Sequence, residues 1–137
     1  MQGTRVKVVA LDYGSARTGV AVSDPTGTIA RPIGVVERAA SQDGLARLAR
    51  IVREEGAERV VVGLPLTLRG EHGAQARETD AFVEALSAAV DVPVESYDER
   101  FTTGLAASVG SDEAPEDARA AAHLLSSYLA WSSAGRE

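Results

Sequence analysis

The chain predicts an α/β fold: a mixed five-stranded sheet with helices on both faces, its elements running β-β-β-α-β-α-β-α. Three observations carry that expectation. The segment ending at Glu37 alternates apolar with polar residues or runs wholly apolar, and shows no helical spacing. From Leu45 onward helical apolar spacing alternates with short β-branched runs. No internal repeat or low-complexity tract breaks the order. Three meander strands followed by right-handed crossovers give a mixed sheet, and ligands in such sheets sit beyond the carboxyl ends of the central strands.

Residues 5–12 (Arg-Val-Lys-Val-Val-Ala-Leu-Asp) predict the first strand, turning fully apolar as a buried strand does. Tyr13 to Arg17 form a turn, Thr18 to Ser23 the second strand, and Asp24-Pro25-Thr26-Gly27 a further turn. The third strand covers about 28–37, and Pro32, which has no N–H for a ladder, puts part of it at an edge. Leu45, Leu48, Ala49, Ile51 and Val52 mark a helix that Gly56 ends. Val60-Val61-Val62 make a strand covered on both faces. A loop from Gly63 to Gly73 leads to a helix at about 74–90, striped by Phe82, Val83, Leu86 and Val90. Asp91-Val92-Pro93 breaks it, and Val94 to Tyr97 form the fifth strand. A short helical piece from about Thr102 to Ser108 and an acidic linker follow. The last helix starts near Pro115, a residue suited to a first helical turn, and presents Ala121, Leu124, Leu125, Tyr128 and Leu129 as its apolar stripe.

With 137 residues and 14.3 kDa, the expectation is one domain spanning 1–137. The 45% hydrophobic and 25% charged residues exclude intrinsic disorder as the main reading. No cysteine is present, which excludes disulfides, thiolate metal sites and cysteine nucleophiles. The amino-terminal residues read neither as a signal peptide nor as a membrane span, so a cytoplasmic protein with no membrane partner is expected. The net charge of −6 argues against nucleic-acid binding by bulk charge. The charge is unevenly divided, however. Residues 1–60 carry nine basic and seven acidic groups, and residues 61–137 carry five and thirteen. All the basic residues but Lys7 are arginines, which suit bidentate contact with phosphate, so a local basic face fits the sequence.

Three acids stand where chemistry is expected. Asp12 directly follows the first strand, where a carboxylate needs a cation, hydrogen bonds or water. It reads as a ligand for Mg²⁺ or Mn²⁺, hard cations that prefer oxygen, and more plainly as a turn-initiating Asp. Asp98-Glu99-Arg100 follows the fifth strand in the same way. Adjacent strand residues face opposite sides, so normally only one of the two acids faces the site; Glu99 is taken as the second ligand, with Asp98 in reserve and a surface acid–arginine pair as the plainer reading. Asp117 lies in the first turn of the last helix, where acids meet the helix dipole favourably. The alanines at 118, 120, 121 and 122 let that helix lie close to the sheet and bring Asp117 towards the strand ends. Carboxylates so placed would hold two divalent ions about 3.5–4 Å apart, an arrangement that activates water against a phosphodiester.

The blocks Val-Val-Ala-Leu-Asp12-Tyr-Gly-Ser-Ala-Arg-Thr-Gly19-Val-Ala-Val-Ser-Asp24, Val-Val-Val-Gly63-Leu64-Pro65-Leu66, Tyr97-Asp98-Glu99-Arg100-Phe101-Thr102-Thr103 and Asp117-Ala-Arg-Ala-Ala121-Ala-His-Leu-Leu125-Ser-Ser-Tyr128-Leu129 run across nearly the whole chain. In content and order they resemble the YqgF/RuvX family of bacterial ribonuclease-H-like nucleases. The resemblance implies a ribonuclease-H-like fold, a divalent metal and a cytoplasmic enzyme. It further implies 5′-end processing of pre-16S ribosomal RNA in ribosome biogenesis, with the ribosome precursor as a partner, or Holliday junction resolution in recombination and repair. On the matching positions it makes Asp12, Glu99 and Asp117 the catalytic, metal-binding acids. Arg100 would place phosphate, and Gly14 and Gly19 would let the backbone approach it. Many relatives carry a lysine- and arginine-rich stretch before the last acid, whereas Gly104 to Glu116 holds no basic residue here. Substrate grip is therefore expected from Arg17, Arg69, Arg77 and Arg100. Thr67 stands where relatives often have Asn and still offers a hydroxyl.

The loop from Gly63 to Gly73 reads as a phosphate-binding or gating loop, or simply as a connection. His72 is expected to be solvated, His123 to be partly buried, and Tyr128 and Trp131 to pack the last helix or a dimer contact. Arg47, Arg50 and Arg53, beside Glu54, Glu55 and Glu58, read as a solvated mixed-charge face. The leading expectation is thus a metal-dependent endonuclease for structured RNA or branched DNA, acting as a monomer or homodimer. Paired nicks in a junction would need a symmetric dimer. Two other classes compete: an ATPase of the actin and sugar-kinase kind, which shares an Asp-x-Gly strand turn but needs two such domains, and a non-catalytic RNA-binding assembly factor.

Overall fold

The β-branched runs of this chain pair into one sheet because each strand has apolar side chains to cover on both sides. A computed structural model describes residues 6–102 and 114–133. Strands β1 (Val8–Asp12), β2 (Arg17–Ser23) and β3 (Ala30–Glu37) form the expected antiparallel meander. The Ser23 hydroxyl accepts the Val8 N–H at 2.8 Å and closes its base. Asp24 holds the β2–β3 turn, its carboxylate accepting the N–H groups of Thr28 and Ile29 at 3.0 Å each and the Thr26 hydroxyl at 2.6 Å. These bonds, the Thr26 hydroxyl first, hold its pKa at about 2. They also explain why β3 begins at Ala30 rather than at 28: the two preceding amides bond to a side chain instead of a ladder.

Helix α1 (Gln42–Glu55) starts where the Ser41 side chain accepts the Gly44 N–H and stops at Gly56 in the left-handed conformation. Strand β4 (Arg59–Leu64), helix α2 (Ala74–Ala89), strand β5 (Val94–Asp98), a 3₁₀ turn at Glu99–Phe101 and helix α3 (Glu116–Ser133) complete the chain. The 3₁₀ turn is an addition to the expected elements. The expected helical piece to Ser108 and the acidic linker lie almost wholly in 103–113, outside the described residues.

The sheet order is β3-β2-β1-β4-β5, with β4 parallel to β1 and β5 parallel to β4. Pro32 does sit in an edge strand, beside a bulge where Val20 pairs with Gly34 and Ala21 with Pro32, so that Ile33 is the extra residue. Alternation sends Val9, Leu11, Val60 and Val62 to one face, against Leu48 and Val52 of α1 and Phe82 and Leu86 of α2. Val8, Ala10, Val61 and Tyr97 go to the other, against Ala121, Leu125 and Tyr128 of α3. The same alternation carries β1 onward so that Asp12 falls on the α3 face.

Candidate active site

Strands β1, β4 and β5 are parallel, so their carboxyl ends lie together, and the expected acids meet there. The Asp12 and Glu99 carboxyl groups hydrogen-bond to each other, although β4 lies between their strands. Gly63 makes that crossing feasible. A Cβ at this position would stand 2.7 Å from Glu99 Oε2 and 3.2 Å from Leu124 Cδ2. The Glu99 side chain lies over the gap left after three consecutive valines. This function of Gly63 was not read from the sequence, where the residue opened a loop; its signal was a glycine ending a run of three valines.

Asp117 comes to the same place from α3, close enough that its charge acts on Asp12. Gly19, which pairs with Asp12 across β1 and β2, is the reason α3 approaches so closely: a Cβ there would sit 1.8 Å from the Asp117 carbonyl oxygen. Ala118, Ala121 and Ala122 of α3 are fully buried, as the alanine stretch led one to expect. The room that a side chain would need at Gly19 is thus taken by helix backbone. Gly14 likewise serves its own turn, since a Cβ there would lie 2.6 Å from the Arg17 carbonyl oxygen.

Electrostatics separates the acids sharply. Glu99 is pushed up to about 7, by burial first, then by the charge of Asp12 and the hydrogen bond with it. Asp12 is also raised, by burial above all, with the nearby Asp117 adding to the shift and the Glu99 hydrogen bond working against it. Burial thus favours a proton shared between the two carboxyl groups. Asp98 faces the opposite way and is lowered by Arg100, whose Nη2 and Nε lie 2.6 and 3.0–3.1 Å from its carboxylate oxygens. Asp98 is fully occupied in this ion pair, while Glu99 is aimed at Asp12. Alternation along β5 accounts for the division, because Tyr97 and then Glu99 follow the α3 side.

The basic residues are placed unevenly. Arg17 Nε pairs with Asp117 Oδ2 at 3.0 Å while its side chain remains mostly exposed. Arg100, held on Asp98, also donates to the Leu68 carbonyl at 3.3 Å and packs beside Gly70, so it ties the 65–73 loop to the end of β5. Thr67 is used within that loop, where its hydroxyl accepts the Glu71 N–H at 3.0 Å. Arg69 is exposed on the same loop, and Arg77 donates to the His72 carbonyl at its base. His72 is exposed and pairs with Asp80. His123 is half-buried, Tyr128 is buried and Trp131 is 44% exposed.

Among the described residues, no three acids or histidines converge tightly enough to enclose one ion. The chemistry of the donor set nevertheless fits a hard divalent cation. Two partly buried carboxyl groups face each other with a third beside them, and the one guanidinium paired with the set binds only its outer member. A cation displacing the shared proton would satisfy both oxygen donors.

A mixed sheet of this order defines the class of fold, the ribonuclease-H-like fold. RuvC of Thermus thermophilus, in a structure with a Holliday junction substrate, superposes with a TM-score of 0.69 at 17% identity, over 96% of this chain and 97% of that one. Residues 6–131 match the model of the RuvX family, described as Holliday junction resolvase. The chain is 48% identical over 96 residues to a protein of Chloroflexus aggregans named as a candidate pre-16S rRNA nuclease, an alignment covering 70% of this chain and 68% of that one. A protein of the same name from Desulforudis audaxviator is 37% identical over 139 residues, covering 96% and 99%. The chain belongs to the RuvX family of nucleases.

Proposed function

We propose that this chain is a divalent-metal-dependent endonuclease of the cytoplasm that processes the 5′ end of pre-16S ribosomal RNA, with Asp12, Glu99 and Asp117 as its metal-holding acids. The observation that carries the proposal is the uncompensated Asp12–Glu99 pair at the carboxyl ends of β1 and β5. The names of the relatives support the rRNA substrate. Bound there, Mg²⁺ or Mn²⁺ would supply an activated water and charge stabilisation for the leaving oxygen. The protein's part is to orient the donors. Asp12, at the end of a fully buried strand, is a rigid anchor; Gly63 gives Glu99 its path to Asp12; Arg17 fixes the rotamer of Asp117. Arg100 steadies the 65–73 loop, leaving the exposed Arg69 to meet the phosphate backbone.

The family description favours a second reading, cleavage of a four-way DNA junction. One experiment separates the two. A labelled 16S precursor 5′ fragment and a four-way junction are each incubated with Mg²⁺, Mn²⁺ or EDTA, using wild type and Asp12→Asn. Metal-dependent cutting of the RNA, lost in the variant, is the expected result. Preference for the junction would select the second reading, and cutting by Asp12→Asn at the wild-type rate would overturn the site.

A further inference from the structure

An open cleft of about 490 Å³ is lined by Ser15, Ala16, Arg17, Glu37 and Arg38. It is continuous with the site through Arg17, whose Nε is on Asp117 at 3.0 Å. Arg38 is the one non-glycine residue among those described with a positive φ, at 48°. Side-chain-bearing residues rarely adopt that conformation, and it persists where the surroundings enforce it. Here they do. The Arg38 N–H donates to the Ala16 carbonyl at 3.0 Å, and the Arg38 carbonyl accepts the Ser41 N–H at 2.9 Å and the Ser41 hydroxyl at 2.7 Å. Gly44 packs against that carbonyl so tightly that a Cβ would come within 2.2 Å of it. The backbone is pinned while the side chain is exposed, and Arg38 forms no ion pair among the described residues.

A bend of this kind is met without strain by glycine or asparagine. Arginine brings something the bend does not need: a second arginine beside Arg17 in the lining of the cleft, with Glu37 as the one acid there. The cleft also lies in the basic half of the chain, residues 1–60, and the stretch from Gly104 to Glu116 has no basic residue to do the same work. We propose that Arg38, together with Arg17, seats a backbone phosphate of the nucleic acid next to the cleaved one and so sets the register in which the strand crosses the acids. The inference rests on the nuclease reading and adds the residue that would position its substrate.

The test uses Arg38→Gly in an Asp12→Asn background, with binding of a labelled stem-loop RNA and of a four-way DNA junction followed by fluorescence anisotropy across a salt series. Glycine relieves the backbone while removing the charge, so the melting temperature should hold or rise. Affinity for both probes should fall about tenfold, and the slope of log affinity against log salt should shrink by about one, the signature of one lost phosphate contact. Arg38→Lys should restore the slope and part of the affinity. A folded Arg38→Gly with unchanged affinity and slope would overturn the phosphate seat. Failure of the nuclease reading has a different signature: the wild type would not cut in metal, whether or not binding depends on Arg38. If the Asp12→Asn protein bound neither probe, both readings would fall.

Discussion

Glu95 and Glu99 project from the same side of the β5 segment, four residues apart, and the fold treats them in opposite ways. Glu95 accepts the Tyr128 hydroxyl, which in turn receives a hydrogen bond from Arg59 Nη1 at 3.0 Å. Tyr97 and Trp131 pack their rings around this end of α3 at centroid distances of 5.6 and 5.8 Å from Tyr128. Glu99, at the other end of the same helix, meets another acid. The chain can thus supply a hydroxyl donor, itself bonded to a cation, to a partly buried glutamate on this face. The missing compensation at Asp12–Glu99 is what the proposed cation would supply, because burying two carboxyl groups without a partner charge is costly.

The largest effect expected at the uncompensated end is catalytic. Asp12→Asn should lower metal-dependent cleavage by about 10³-fold or more, since the interactions lost are worth several kcal/mol in the transition state. The readout is single-turnover cleavage at saturating metal. Added Mn²⁺ should also raise the melting temperature of the wild type and not of this variant; equal shifts would erase the distinction between the two ends.

Gly19→Ala should come next. Its Cβ would overlap the Asp117 carbonyl, and backbone has nowhere to move without lifting α3. Overpacking of this kind costs about 3 kcal/mol, measurable by urea unfolding.

At the compensated end, Tyr128→Phe should cost about 1–2 kcal/mol by leaving Glu95 and Arg59 without their shared hydroxyl, with the metal response unchanged. A change in cleavage would show that the two ends of α3 are coupled.

A pH series sharpens the contrast further. Glu99 has a folded pKa raised from 4.5 to about 7, so the folded protein binds that proton more tightly than the unfolded chain does. In EDTA its contribution is therefore fully favourable below about pH 4.5 and is lost as the pH rises through 7. Glu99→Gln should flatten that decline and be the more stable protein above pH 7. Asp24 has the opposite sign. Its folded pKa of about 2 lies below the ordinary 3.8, so its small contribution is present above pH 4 and fades as the pH falls towards 2. Asp24→Asn should remove only that acid limb, the smallest of these effects given how exposed the group is.

Much of this was legible in the sequence. Every strand and helix expected within the described residues is present, most within a residue or two, because hydrophobic period and caps are local signals. The two-residue repeat of a strand says that Asp98 and Glu99 face opposite ways, but not which of them faces Asp12, because one residue of register reverses the choice. The first strand was less exact, starting at Val8 rather than Arg5, whose position lies outside the described residues. The substrate-binding expectations fared differently. The sequence does not show that Gly14 and Gly19 face close backbone contacts, that Thr67 bonds within its own loop, that Arg100 pairs with Asp98, or that Arg38 has a positive φ.

The difference has a physical cause. Sequence by itself determined which residues are strand and which are helix, since those properties depend on neighbours in the chain. Only the tertiary structure decided that β4 lies between Asp12 and Glu99 and must carry a glycine where their side chains meet. It alone decided that Gly19 admits the Asp117 backbone, and that Arg17 and Arg38 share a cleft. Those facts depend on the strand order β3-β2-β1-β4-β5 and on sub-ångström clearances between distant segments, which no local pattern encodes.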